Sequence, residues 1–436
     1  MRHTAAAVMH KLKRLIIAAA LFVTASCVGL GVQQAESGGS ATKSGDRLEA
    51  LKLDLWNRWS KHVVEPTIPQ MARGARTVRS RFSRFDLLNW SSPDVVAGGK
   101  VYPEQQDATD YIYILDEAGR PLTMALRNSE KRDIWRGEFR YSTDEIEFVE
   151  FNLESKIPSL YERVTFRDGL RTSYQRLAPD GGGMIPPRWR NLDRSELPRQ
   201  FQASRLNYSL SVEAYDVADG RIRGGESLIE GSGLSVSRFA LDFAYLDDGQ
   251  LNSVSRRYPD GSSQTLFLRP SNRTLDELTA DLARRIAERV IGEMRRRTFA
   301  APVIGIELFY VSGNELPFVT YLTEADNLAE FPITDRSVAQ RAISVTEEHV
   351  GPQIAEFMAR IEEEDDLKAD TRMVRRAARL INLEADPPFP RAKDFVAYAI
   401  DWEVAGTGVE LAQLLEECGA SKTAIDSWKK RGWLSQ

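Results

Sequence analysis

Residues 168–181 read DGLRTSYQRLAPDG, and residues 248–261, 80 positions later, read DGQLNSVSRRYPDG. Seven of the fourteen positions agree: Asp168, Gly169, Ser173, Arg176, Pro179, Asp180 and Gly181 recur as Asp248, Gly249, Ser253, Arg256, Pro259, Asp260 and Gly261. Each segment opens and closes on Asp-Gly, and a further pair stands at Asp219-Gly220. Glycine takes the positive φ of a tight hairpin turn without steric penalty, so Asp-Gly between apolar stretches joins antiparallel strands. The stretches around these pairs alternate as half-buried strands do: DYIYIL (110–115), YERVTF (161–166), SRFALDFAYL (237–246) and SQTLFLR (263–269). An antiparallel β-meander over 105–270 follows.

The paired segments resemble the tyrosine-aspartate (Rhs-type) hairpin repeats of large bacterial surface and toxin-shell proteins. In those repeats each unit is a strand, an Asp-Gly turn and a returning strand. The resemblance covers two short segments with a long gap between them, so it implies shared turn chemistry in a meander rather than a shell. GGGMIPPRWR (181–190), between the copies, reads as an extended loop.

C-terminal to the meander the period changes. Thr274-Leu275-Asp276-Glu277 is a capping box, and behind it Leu275, Leu278, Leu282, Ile286, Val290 and Met294 recur at helical spacing. VIGIELFYV (303–311) reads as a buried strand. Helices follow over about 335–365 and 370–384, then a rigid DPPFP break and a strand at FVAYAIDW (395–402). A helix over about 409–418 is closed by Gly419, and a last one is capped by Ser421 and ended by Gly432. Residues 271–436 therefore form an α+β domain. Their order, a long helix before an apolar strand pair and a C-terminal helix ending RGWL, is faintly similar to uncharacterised bacterial immunity-type domains. That likeness rests on pattern and implies no functional residue.

On the N-terminal side, Asp46 to about Val63 reads as an amphipathic helix through Leu48, Leu51, Leu55, Trp56, Trp59 and Val63, within a helical region over 46–104. Arg73, Arg76, Arg79, Arg81 and Arg84 follow without an acid between them, as a solvated helical face, as arginines paired with the acidic body, or as an attraction to anionic headgroups. Residues 27–45 are rich in Gly, Ser, Gln and Ala, the composition of a flexible tether. Residues 1–26 carry a basic start (Lys11, Lys13, Arg14), an apolar run (Leu15 to Val23) and small residues before Cys27, which is secretory signal logic. The segment resembles a bacterial lipoprotein signal with Cys27 as the acylated residue, although Thr24 stands where leucine is usual. Met9 offers a second, more compact start. Two further readings stay open: an uncleaved anchor from Leu15 to Val32, and cleavage near Ala25 or Ser26 with release. Each places the body outside the cytoplasm, membrane-anchored in the first two, in the periplasm or at the cell surface.

The chain of 436 residues has a net charge of -5, and without residues 1–26 it holds 54 basic against 63 acidic side chains, about -9. General nucleic-acid binding is not expected of such a surface. Only Cys27 and Cys418 are present, so there is no disulfide framework, and with only His62 and His349 beyond the signal no zinc cage is expected. No cofactor motif is present. EEEDDLKAD (362–370) lacks the spacing and central glycine of a calcium loop and reads as a solvated charge run. The remaining catalytic candidates are carboxylates: Glu307 inside an apolar strand, with Asp401 and Glu403 alternating at a strand end. The sequence thus points to a membrane-tethered binding or scaffold protein, non-enzymatic and of toxin-immunity type in its specialised form, with a protein partner. The rival is an envelope hydrolase using those carboxylates.

Overall fold

The computed structural model describes residues 41–74, 76–80, 85–87, 100–101, 111–179, 196–197, 199–200, 208–231, 236–311, 316–326, 341–364, 366, 368–401 and 411–434. The chain divides into two compact units between Phe267 and Leu268. The fold is an antiparallel meander followed by an α+β unit, with a helix at the N-terminal side.

In the first unit, helix α1 (Ala41–Val64) precedes β1 (Arg76–Ser80), the short pair β2 (Phe85–Asp86) and β3 (Lys100–Val101), and then β4 (Tyr111–Leu115) and β5 (Pro121–Arg127). Next come β6 (Asp133–Tyr141), β7 (Glu145–Asn152), β8 (Ile157–Arg167), β9 (Leu170–Pro179) and β10 (Tyr208–Ala218). The unit ends with β11 (Arg221–Gly231), β12 (Ser237–Tyr245), β13 (Leu251–Arg257) and β14 (Ser263–Leu268). One 12-stranded sheet runs in the order β1-β4-β5 and onward in sequence to β14.

Two expectations are corrected here. The 46–104 region is not helical throughout, because its arginine-rich part supplies β1, which pairs antiparallel with β4. In β1 Val78 is buried while its neighbours Thr77 and Arg79 are exposed, as side chains alternate across a strand. Helix α1 also starts five residues before Asp46, inside the stretch expected to be tether.

The Asp-Gly turns are of two kinds. Asp168-Gly169 sits alone between Arg167 and Leu170 with φ of 53° and 78°, the double positive φ of a type I′ turn. Asp260-Gly261 instead ends a longer loop in which only glycine has positive φ, 86°, and the Gly261 N–H donates to the Tyr258 carbonyl. That is a type I turn closed by a glycine bulge. Asp180-Gly181 lies outside the described residues.

The sheet has two apolar faces. On the first, Leu48, Leu55, Trp56, Trp59 and Val63 of α1 pack on Val149, Tyr161, Leu177, Leu210, Val212 and Leu228. Polar links fix the helix along β8 and β9: the Arg163 guanidinium donates to Asp54 at 2.8 Å, and the Gln175 amide to the Leu51 carbonyl at 2.7 Å. On the opposite face one cluster runs from Val78 on β1 through Tyr113, Phe139, Phe148 and Tyr174 to Val254 on β13.

The second unit holds helix α2 (Leu275–Arg295), β15 (Val303–Tyr310) and β16 (Phe318–Thr323). Helices α3 (Glu347–Val350), α4 (Gln353–Glu363) and α5 (Ala369–Leu383) follow, then β17 (Arg391–Asp401), α6 (Leu411–Glu417) and α7 (Lys422–Lys430). The capping box of α2 is formed in both directions, with Thr274 N–H to Glu277 at 2.8 Å and Glu277 N–H to the Thr274 hydroxyl at 3.2 Å. The sheet order is β16-β15-β17, antiparallel then parallel. The outer edge of β17 is covered. The Asn382 amide gives and takes a 2.7 Å bond at Ala397, and the Ala399 N–H meets Cys418 Sγ at 3.4 Å.

Candidate functional site

The carboxylates singled out from the sequence do not gather. Glu307 is buried on β15 opposite Tyr398 of β17, whose phenol donates to Glu307 Oε2 at 2.6 Å. Burial, with the neighbouring Glu307 charge, holds the Tyr398 phenol well above its usual range. A tyrosine phenol from the neighbouring strand thus engages this acid. Asp401 is the register partner of Tyr310, three positions along from the Glu307–Tyr398 pair. Side chains alternate across a strand, so an odd offset puts Glu307 and Asp401 on opposite faces of this sheet. Glu403 and Cys27 lie outside the described residues.

The other chemistry-bearing side chains are tied into structure. Burial pushes the Cys418 thiol up to about 11, which leaves it un-ionised and a poor nucleophile at neutral pH. His62 is buried against Phe151 and Tyr161, and burial lowers its pKa. His349 accepts from the Thr346 N–H at 3.1 Å, in the place of the acid in a capping box. Among the described residues no three His, Cys, Asp or Glu side chains are grouped as a metal site requires.

The meander brings together groups that the sequence reading did not link. On the face away from α1, Glu162 on β8 accepts from the Tyr174 phenol at 2.7 Å and pairs with Arg176 at 3.3 Å. Glu150 on β7 faces Leu160 in register, which makes Glu162 its diagonal neighbour, roughly 7 Å away at Cβ. Burial raises Glu150 to about 7, the Glu162 charge adds to the rise, and the Ser159 hydroxyl bond at 2.7 Å opposes it. Glu213 on β10 is buried too, bonded by the Tyr215 phenol at 2.6 Å, with its carboxyl raised by burial and lowered by Arg256 and Arg171. Arg176 and Arg256 are the repeated arginines of the two Asp-Gly segments, and both point to this face. The repeat was the available signal. It was silent on which strands would lie between the two copies.

A cavity of about 690 Å³ opens at the pole of the sheet where α1 begins. Its walls come from the β8–β9 and β10–β11 hairpin ends and from Arg47 of α1. Arg47 bridges these parts: it donates to Asp216 at 3.0 Å, to the Thr172 carbonyl at 3.1 Å and to the Tyr215 carbonyl at 2.7 Å. Arg167 and Asp168 form the rim of one hairpin, Asp216 and Val217 that of the other, with Leu170 and Thr172 between. The site carries two guanidiniums and two carboxylates beside an apolar lip, Val217, which is 40% exposed. Its volume is that of a small-ligand site. Comparison with known protein families and with curated proteins returns no match.

Among the described residues no helix is long and apolar enough to cross a membrane. The signal-type segment lies outside them.

Proposed function

We propose that the chain is a membrane-tethered, extracytoplasmic binding protein, a non-enzymatic scaffold or toxin-immunity type, with the polar cavity of the meander as its recognition site. The observation that carries the reading is the junction of tether and body. Helix α1 begins at Ala41, fourteen residues beyond Cys27, and is bound along the sheet from that end onward. Whatever its path, that stretch spans at most about 50 Å. An anchor at Cys27 therefore keeps the cavity pole close to the bilayer. The C-terminal unit is consistent with the same reading, because buried Glu307 is engaged by Tyr398 and lies on the opposite face of the sheet from Asp401.

The test is native mass spectrometry of the full-length protein extracted in detergent. The expected species begins at Cys27 and carries added acyl mass, and Cys27→Ser removes that mass. An intact N-terminus, or a cleaved chain without acyl groups, overturns the lipid tether. A stoichiometric protein that co-elutes, and is lost on substitution at the cavity rim, supports binding.

One observation favours the hydrolase alternative, at a different place. Glu150, raised to about 7, stands diagonal to Glu162, which a tyrosine and an arginine engage. A carboxyl raised by burial beside a second carboxyl is the arrangement from which acid–base pairs are built. That reading requires any hydrolytic activity of the purified chain to vanish in both Glu150→Gln and Glu162→Gln.

A further inference from the structure

We infer that the cavity at the α1 pole binds a small zwitterion bearing an ammonium and a phosphate, the chemistry of an ethanolamine headgroup. The inference deepens the binding role proposed for this site, and its membrane source rests on the tether.

The charges on the walls come in two pairs of opposite sign. Arg47 is fixed by three hydrogen bonds to Asp216 and to two strand carbonyls. A guanidinium has five N–H donors, so two remain for a ligand. Arg167 is exposed on the opposing hairpin, and among the described residues it enters no ion pair. These two supply an anion site of the forked type that suits phosphate. Asp168 stands beside Arg167 at the turn, and Asp216 lines the cavity from the other hairpin. Arg47 already answers Asp216, so a simple anion leaves the Asp168 carboxylate unanswered and is repelled by it. A zwitterion meets Asp168 as well as the two guanidiniums.

The cation has N–H donors. A quaternary ammonium is held by a cage of aromatic faces. The one aromatic side chain in these walls, Tyr215, is buried and turned to Glu213. A primary ammonium instead donates to carboxylates, which the walls provide. Exposed Val217 at the lip suits an apolar continuation of the ligand beyond its phosphate.

Calorimetric titration of the detergent-solubilised full-length chain uses phosphoethanolamine, phosphocholine and inorganic phosphate as probes. Phosphoethanolamine is expected to bind most tightly. Arg167→Gln, at an exposed side chain that no fold contact needs, weakens it about tenfold. Asp168→Asn moves the probes in opposite directions, weakening phosphoethanolamine and strengthening inorganic phosphate. Equal binding of all three probes, or an Asp168→Asn effect of the same sign on both, overturns the inference, as does no binding at all. The source is read with vesicles of phosphatidylcholine with and without phosphatidylethanolamine. A preference for the mixed vesicles supports a membrane headgroup, and selective binding of the soluble probe alone supports a free ligand. The mass at Cys27 is measured separately, so failure of the tether and failure of the site are distinguishable.

Discussion

Glu150 ties a single residue to the stability of the meander. Its carboxyl is raised from an ordinary value of 4.5 to about 7, chiefly by burial. Below pH 4.5 both folded and unfolded chains hold the proton. Between 4.5 and 7 the unfolded chain releases it while the folded one keeps it, so stability falls as pH rises, and above 7 the loss is complete. The full loss is about 3 kcal/mol. Glu150→Gln keeps an acceptor for Ser159 and cannot ionise. Urea midpoints from pH 4.5 to 8 are expected to fall less for the variant than for the parent, and parallel curves would refute the assignment. Glu213 shifts in the same direction, so only the difference between the two curves isolates Glu150. None of this was legible in the sequence. Glu150 sits in EIEFVEFN beside two other glutamates, and burial of one depends on which face the strand turns inward. Glu307 was legible as a buried acid, because apolar residues surround it, but its tyrosine partner lies 91 positions away.

At the scale of elements the hairpins were the most legible feature, since turn chemistry is local. One of the turns without glycine gives a direct check. Asn128 to Arg132 closes as Asp116 to Arg120 does, yet Lys131, at φ 60°, stands where the other loop has Gly119 at 78°. A left-handed non-glycine residue is strained by about 1 kcal/mol, partly offset by the greater freedom of glycine in the unfolded chain. Lys131→Gly is expected to raise stability by about 0.5 kcal/mol, read as a higher thermal midpoint. A lower midpoint would mean that Lys131 makes a contact that outweighs the strain. The arginine-rich segment was misread for the opposite reason. Arginine at 73, 76, 79, 81 and 84 has no period that separates strand from helix, and pairing with β4, across more than 30 residues, decided it. Helix α1 was read from its apolar stripe. That stripe depends on Trp59, fully buried with its indole N–H on the Pro158 carbonyl at 3.3 Å. Trp59→Ala is expected to destabilise the first unit by about 3–5 kcal/mol. Chemical denaturation measures it, and a change below about 1 kcal/mol would mean that α1 is not part of the cooperative core.

For the whole molecule, the change of sequence period near residue 270 and the division at Phe267/Leu268 fall together because each unit closes its own core. The first unit packs two clusters, one on each face of the long sheet. The core of the second unit joins α2, β15, α5 and β17 through Leu282, Val290, Ile306, Met373 and Ala397. Units with separate cores unfold as separate cooperative systems unless a large interface couples them. Calorimetry of the full chain is therefore expected to show two transitions. Trp59→Ala should lower one of them and leave the other in place. Met373→Ala, which empties a fully buried position of the second core, should lower the other by an amount equivalent to about 2–5 kcal/mol. The pairing of variant and transition is what makes the result decisive. If both variants lower both transitions together, the units are energetically one body, and the cavity of the meander would then sense whatever binds the C-terminal unit. If each variant moves only its own transition, the binding proposed for the cavity does not depend on the folding of the second unit.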